Sequence, residues 1–126
     1  MNALVDIAWL AGILEGEGTF LFGTSPKIGI QMVDRDVLVR VANIMERYID
    51  KRPKIAEINR VGINNRQSVY NIQIYSQSAL IIMQLIVHHM GDRRRKKIWQ
   101  ILNGYKGKPI EDVRGLFKRL TLEAAE

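Results

Sequence analysis

Hydrophobic and polar residues follow two different periods along the first third of the chain, and each period predicts a different element. The apolar run over residues 4–15 predicts a helix that ends in the glycine cluster at 16–18. Residues 19–23 and 27–33 alternate between two faces, as strands do, and Thr-Ser-Pro at 24–26 is typical of a turn. A helix followed by a β-hairpin is therefore predicted.

The rest of the chain continues with helical and strand-like spacing. Asp34 or Asp36 is expected to cap the second helix, Asp92 to cap a short basic helix, and Gly104 to end that helix. The remaining predicted elements are a helix at 37–48, strands at 54–61 and 66–75, and helices at 77–90, at 93–103 and from Pro109 onward.

This order predicts an α+β fold, α-ββ-α-ββ-α with extra C-terminal helices, in which helices cover one side of an antiparallel sheet. The length of 126 residues fits a single domain over 1–126. Three strands carry Lys, Asn, Gln, Thr or Gly on their other side. Such side chains can pair with base edges in a major groove or simply face solvent, and the pattern leaves both interpretations open.

Charge is distributed unevenly along the chain. The 19 Lys and Arg outnumber the 13 Asp and Glu, which gives a net charge of +6. Residues 1–50 have four basic and seven acidic side chains, whereas residues 51–126 have fifteen and six. This excess indicates a polyanionic partner, which the basic part of the chain is expected to face.

The chain has no cysteine and only two histidines, His88 and His89. Disulfides, thiolate nucleophiles and zinc modules with Cys ligands are therefore excluded, and the adjacent histidines lack the spacing of a metal site. The apolar N-terminal run contains Asp6 and lacks the basic start of a secretion signal, and the run at 79–87 is too short to span a membrane. We expect a cytoplasmic or organellar-matrix protein that is not secreted and has no membrane partner.

Small residues recur every four positions in the first predicted helix, at Ala8, Gly12 and Gly16. They leave one side of the helix without bulk, so a second helix could approach closely. Pairing of two subunits is one interpretation, and close packing inside one chain would give the same pattern.

Two acids, Glu15 and Glu17, lie at the C-terminal end of this helix, where the helix dipole is already negative. A positive group is therefore expected nearby. A divalent cation held by carboxylate and carbonyl oxygens would provide it, whereas a solvated Glu-Gly-Glu-Gly turn is the simpler alternative.

The segment at 10–18, LAGILEGEG, resembles the LAGLIDADG motif of the homing endonucleases, with glutamates at 15 and 17 replacing its two aspartates. The identical positions are Leu10, Ala11, Gly12 and Gly18. The αββαββα order is similar to that family over nearly the whole chain. The resemblance implies a single-motif member, a homodimer paired through this helix at Ala8, Gly12 and Gly16.

The resemblance also implies a metal site and catalytic groups. Glu17 and the carbonyl of Gly16 would bind Mg²⁺, with Mn²⁺ or Ca²⁺ able to replace it for binding. Asp34 falls on a position that arranges water. Arg94 falls on a catalytic lysine position and would stabilise phosphate charge, while Lys97 or its neighbour Lys96 would supply the ammonium group.

The same resemblance, together with the basic run near residue 93, predicts contacts to double-stranded DNA through the strand faces, the second turn and the late basic helix. The predicted DNA-binding residues are Lys27, Gln31, Glu57, Asn59, Arg60, Asn64, Arg66, Asn71, Gln73, Arg93, Arg95 and Lys96.

The function predicted in this way is that of a site-specific, Mg²⁺-dependent endonuclease that cuts a long pseudo-palindromic DNA target. The resemblance also implies a host gene interrupted by an intron or intein that carries this reading frame. Two alternatives share the fold: an RNA maturase that assists intron splicing, and a DNA-binding regulator that does not cut. A basic dimeric binding module with an accidental motif match is the third.

Overall fold

A computed structural model describes residues 2–59 and 67–105 of the chain. The elements in chain order are α1 (Ala3–Glu17), β1 (Gly18–Phe22), β2 (Pro26–Met32), α2 (Arg35–Glu46), β3 (Ala56–Ile58), β4 (Val69–Tyr75), α3 (Ser76–Ile86), a 3-10 turn (Val87–His89) and α4 (Asp92–Gly104). The predicted order and the α+β class are confirmed. The helix predicted from Pro109 lies outside the described residues.

The four strands form one antiparallel sheet in the order β1-β2-β4-β3. Apolar side chains meet across the central strands, where Ile28 lies opposite both Phe20 and Ile74, and Ile30 lies opposite Ile72. These five side chains are at most 5% exposed. Since cross-strand partners share a face, they form the sheet side of the core, against which α1, α2 and α3 pack.

The other side of the sheet has no helix packed on it among the described elements, and we call it the open face. Its residues on β1, β2 and positions 71–75 of β4 are Thr19, Leu21, Lys27, Gly29, Gln31, Asn71, Gln73 and Tyr75. All eight are exposed or half-buried. The predicted alternation of apolar and polar faces is therefore confirmed for β2 and for residues 71–75 of β4, whereas Val69 at the start of β4 lies on the open side and is buried opposite Ile58.

The predicted faces were wrong for the third strand. β3 has only three residues, and Glu57 lies opposite Tyr70 on the helix-covered side of the sheet rather than on the open face. Asn59 lies beyond the end of β3, where its Oδ1 accepts a hydrogen bond from the Ser68 hydroxyl at 3.5 Å. Neither residue therefore belongs to the open face.

The helix α1 begins and ends at residues suited to those positions. Asn2 is the N-cap, and its Oδ1 accepts hydrogen bonds from the backbone N–H groups of Leu4 (2.9 Å) and Val5 (3.4 Å). At the other end the chain turns into β1 at Gly18, where a Cβ would lie 2.6 Å from the carbonyl oxygen of Leu14. The junction between α1 and β1 therefore requires a glycine.

An ion pair between a buried acid and a partly exposed base joins α1 to the end of α2. Asp6 is the only buried charged residue in the described part of the chain, and it accepts a hydrogen bond from Arg47 Nη1 at 2.6 Å. This bond raises the pKa of Arg47 above its usual value. Loss of Arg47 would leave the buried Asp6 carboxylate poorly compensated, so the pair helps to fix the relative position of the two helices.

The predicted helix caps were correct for α2 and wrong for α4. Asp34 is the N-cap of α2, although its side chain makes no capping hydrogen bond. The N-cap of α4 is Gly91, and Asp92 is the first helical residue, where it pairs with Arg95 at 2.9 Å. No helix within 2–59 and 67–105 is long and apolar enough to cross a membrane.

Candidate active site

The end of α1 presents unpaired oxygen atoms to solvent. Glu17 is its last residue, is exposed, and makes no ion pair within the described part of the chain. The last carbonyls of a helix have no further turn to accept hydrogen bonds from. Around Gly16 the space is open, since a Cβ there would meet no atom within 4 Å beyond the local helix backbone.

Asp34 lies at the same end of the first hairpin as Glu17. The register pairs Gly18 with Ile30, so the last residues of β2 extend past the start of β1 toward the end of α1. Asp34 follows two residues after Met32 and is exposed. The fold thus places both predicted acids at one end of the β1–β2 pair.

Arg94 reaches from α4 to the junction of α1 and β1. Its Nη1 donates a hydrogen bond to the carbonyl oxygen of Gly18 at 2.5 Å, and its Nε lies 3.8 Å from Glu15 Oε2. The guanidinium carbon is 5.8 Å from the centre of the Phe20 ring. The positive group expected at the end of α1 is therefore present within the chain, and it pairs with Glu15 rather than with Glu17.

Three other basic residues of α4 share a surface cleft. Arg93, Lys96 and Lys97 are on the surface and line a shallow cleft with Asp92 and Gln100. Lys97 makes no ion pair with any described residue. This side of α4 is thus strongly positive.

Tyr75 makes two contacts at one end of the open face. The Tyr75 hydroxyl donates a hydrogen bond to Gln73 Oε1 at 2.6 Å, and Lys27 Nζ lies 5.8 Å from the centre of the Tyr75 ring. Because its oxygen accepts from Tyr75, the Gln73 amide presents mainly its NH₂ group outward. Gln31 and Asn71 lie directly opposite each other further along the same face.

The small-residue side of α1 is uncovered in the single chain. Ala8, Gly12 and Gly16 are all exposed, and a Cβ at Gly12 would meet no atom within 4 Å. Val5, one further turn toward the N-terminus, is 58% exposed. A close packing partner inside the described part of the chain is thus excluded as the reason for this pattern.

The donor set at the end of α1 suits a hard divalent cation, since it consists of a carboxylate and backbone carbonyls. One chain supplies few such groups, because no cluster of three or more His, Asp or Glu that could hold a metal occurs among the described residues. The residues fit Mg²⁺, and a second copy of α1 would double the number of carboxylates.

Comparison with solved structures identifies the fold. A crystal structure of the homing endonuclease I-CvuI in complex with its target in the presence of 2 mM Ca matches 94% of this chain and 96% of that one, with a TM-score of 0.51 and 12% identity. The same values describe I-CvuI with the I-CreI target in 2 mM Mg, in which the DNA is not cleaved. The chain has the homing-endonuclease fold. No family model and no curated protein matches it by sequence.

Two placements predicted from the sequence are correct. Glu17 and Gly16 lie at the end of α1, and Lys27, Asn71 and Gln73 lie on one face of the sheet. Three further predicted DNA contacts lie outside the described residues. They are Arg60, Asn64 and Arg66.

Two residues of the site were missed from sequence. Tyr75 continues the alternation of Asn71 and Gln73 and could have been found by extending that pattern by one step. No pattern in the neighbouring sequence identifies Gly91. The residue matters because Glu15 packs against it, so that a Cβ at this position would lie 2.8 Å from Glu15 Oε1.

Proposed function

We propose that this chain is one subunit of a homodimeric endonuclease that cuts double-stranded DNA at a specific sequence and requires Mg²⁺. The observation that carries the proposal is the position of Glu17, which is an unpaired carboxylate at the exposed end of α1 and lies two residues before the open face begins. The homing-endonuclease fold and the net charge of +6 support a DNA substrate.

Recognition is assigned to the open face. A two-stranded ribbon fits the major groove, where amide side chains distinguish base edges. Gln31 and Asn71 would read bases from neighbouring strands, and Gln73 would donate to a base acceptor. Arg93 and Lys96 on the positive side of α4 would contact phosphates, which adds affinity for any sequence.

Cleavage is assigned to the end of α1. Glu17 and the Gly16 carbonyl would hold Mg²⁺, which when bound polarises the scissile phosphate and stabilises its developing negative charge. Asp34 would orient a water molecule by accepting a hydrogen bond from it. Lys97 would bring an ammonium group to the phosphate.

A dimer is proposed because one chain contributes a single Glu17 and two strands must be cut. The uncovered side of α1, with Ala8, Gly12 and the exposed Val5, would pack against the same side of a second copy. A two-fold axis between these helices brings both Glu17 carboxylates together, and it also implies a pseudo-palindromic target.

Selection from a random-sequence duplex pool tests the proposal. Molecules cut in Mg²⁺ but not with a chelator are expected to share a long, partly palindromic site. Glu17→Gln should bind the recovered site as the unaltered chain does and cut it more than about 100-fold more slowly, because losing a ligand exceeds the 10–100-fold effect typical of groups that only support ligands.

Glu57→Gln is the matched control, since Glu57 is an exposed acid on the other side of the sheet. It should cut normally. Undiminished cutting by Glu17→Gln would refute the catalytic assignment, and preference for structured intron RNA over duplex DNA would instead favour an RNA maturase.

A further inference from the structure

Arg94 is held more firmly than any other basic residue of α4. Its side chain is only 17% exposed, whereas that of Arg95 is 43% exposed. Three neighbours surround its guanidinium: the Gly18 carbonyl, the Glu15 carboxylate and the Phe20 ring. They belong to α1 and β1, so this contact ties α4 to the junction between those elements.

The surroundings of Arg94 already satisfy its charge. Glu15 provides a carboxylate, and the C-terminal end of α1 provides the negative end of a helix dipole. The Arg94 Nε is buried and makes no hydrogen bond with the described residues, so solvent and phosphate cannot reach that side of the group. A phosphate would have to displace existing partners in order to bind it.

Glu15 is held from two sides by α4. Its Oε2 faces Arg94, and its Oε1 lies so close to Gly91 that a Cβ there would be 2.8 Å away. Gly91 is the N-cap of α4, where the helix dipole is positive. One acid of the motif is therefore neutralised within the chain, while Glu17 remains unpaired.

From these contacts we infer that Arg94 is a positioning residue rather than a phosphate contact. Together with Glu15 it forms a latch that fixes the Gly18 peptide, and thereby the direction of the neighbouring Glu17 carboxylate. The expected effect on cleavage rests on the proposed function, whereas the latch itself is a property of the folded chain.

A lysine at position 94 cannot make both contacts of the arginine. The planar guanidinium donates to the Gly18 carbonyl from one nitrogen while another faces Glu15, whereas an ammonium is a compact charge at the end of a flexible stem. The latch therefore predicts that Arg94→Lys behaves like Arg94→Met. A phosphate contact predicts the opposite, because Lys keeps the positive charge.

The test uses the selected DNA site and the variants Arg94→Met and Arg94→Lys, with Lys51→Met as a control, because Lys51 is an exposed basic residue after α2 that has no assigned role in binding or cleavage. Both Arg94 variants should raise the Mg²⁺ concentration for half-maximal cleavage by about tenfold, as loss of support for a ligand does. Neither should change the salt dependence of DNA binding. A salt slope that falls by about one per chain in Arg94→Met, or normal cleavage by Arg94→Lys, would overturn the inference.

Urea unfolding without DNA tests the latch separately from the enzyme activity. Glu15→Gln, Arg94→Met and the double variant form a cycle, in which the double variant should unfold at about the same urea concentration as the less stable single variant. Additive shifts would mean that the two side chains are independent, and the latch would be rejected. Additive shifts would not contradict the proposed endonuclease activity. Conversely, the urea measurements could still be interpreted if the unaltered chain did not cleave DNA.

Discussion

At the scale of single residues, Gly18 is the described glycine at which an added Cβ would make the shortest contact. A Cβ at this position would lie 2.6 Å from the Leu14 carbonyl oxygen, which is backbone and cannot rotate away. The same residue donates its own N–H to that oxygen and offers its carbonyl to Arg94. Its place at the end of the motif thus follows from packing as well as from chemistry.

We predict that Gly18→Ala lowers the free energy of unfolding by about 1–3 kcal/mol, which is typical of forcing extra atoms into a packed site. Urea unfolding of the purified chain measures the change. Gly23→Ala is the control, because a Cβ at Gly23 would meet nothing within 4 Å. A loss in Gly18→Ala no larger than that in Gly23→Ala would show that local movement relieves the clash at Gly18 and would contradict the prediction.

At the scale of elements, β2 and β4 align the side chains that would read DNA. Lys27 lies opposite Tyr75, and the Tyr75 hydroxyl binds the oxygen of Gln73 on the same strand. The glutamine amide therefore cannot turn freely to offer one donor and one acceptor to an adenine, which is the usual bidentate pairing.

Tyr75→Phe should consequently change base preference rather than overall affinity. Removing the hydroxyl frees the Gln73 oxygen, so preference at one symmetric pair of positions should shift toward adenine by about 1–3 kcal/mol. Selection from pools randomised at each position measures the shift. Tyr70→Phe, on the covered side of the sheet, should leave the preference unchanged, and an unaltered preference in Tyr75→Phe would contradict the assigned role of the hydroxyl.

The elements also explain what sequence could and could not predict. Period-two alternation identified β2 and β4 and their faces, because each strand has seven residues with regular burial on one side. It failed at Glu57, because β3 has three residues and its face depends on the register with β4. The contact between Arg94 and Gly18 joins residues 76 positions apart, and no local pattern encodes such a distance.

At the scale of the whole molecule, the exposed side of α1 determines the proposed assembly. Val5, Ala8 and Gly12 form a surface that the described part of the chain leaves uncovered, next to the end that bears Glu17. Pairing through this surface would complete the active site, so assembly and catalysis should fail together.

Gly12→Leu should convert the proposed dimer to a monomer, because a large side chain prevents the close approach of two helices. Sedimentation velocity over a range of concentrations measures the change, and cleavage of the selected site should be lost in parallel. Gly23→Leu, which adds the same bulk at the β1–β2 turn, should sediment as the unaltered chain does. An unaltered chain that stays monomeric with and without DNA would exclude the dimer.

The pairing of β2 with β4 affects any attempt to change the DNA sequence that the proposed enzyme recognises. Gln31 lies opposite Asn71, Gly29 opposite Gln73, and Lys27 opposite Tyr75, so each prospective base contact has a neighbour directly across on the adjoining strand. A substitution at one position changes the room and the hydrogen-bonding options of its partner. New specificities should therefore be sought in libraries that vary these opposed pairs jointly, including Gly29, where a Cβ would meet only the end of the Lys27 side chain, at 3.9 Å.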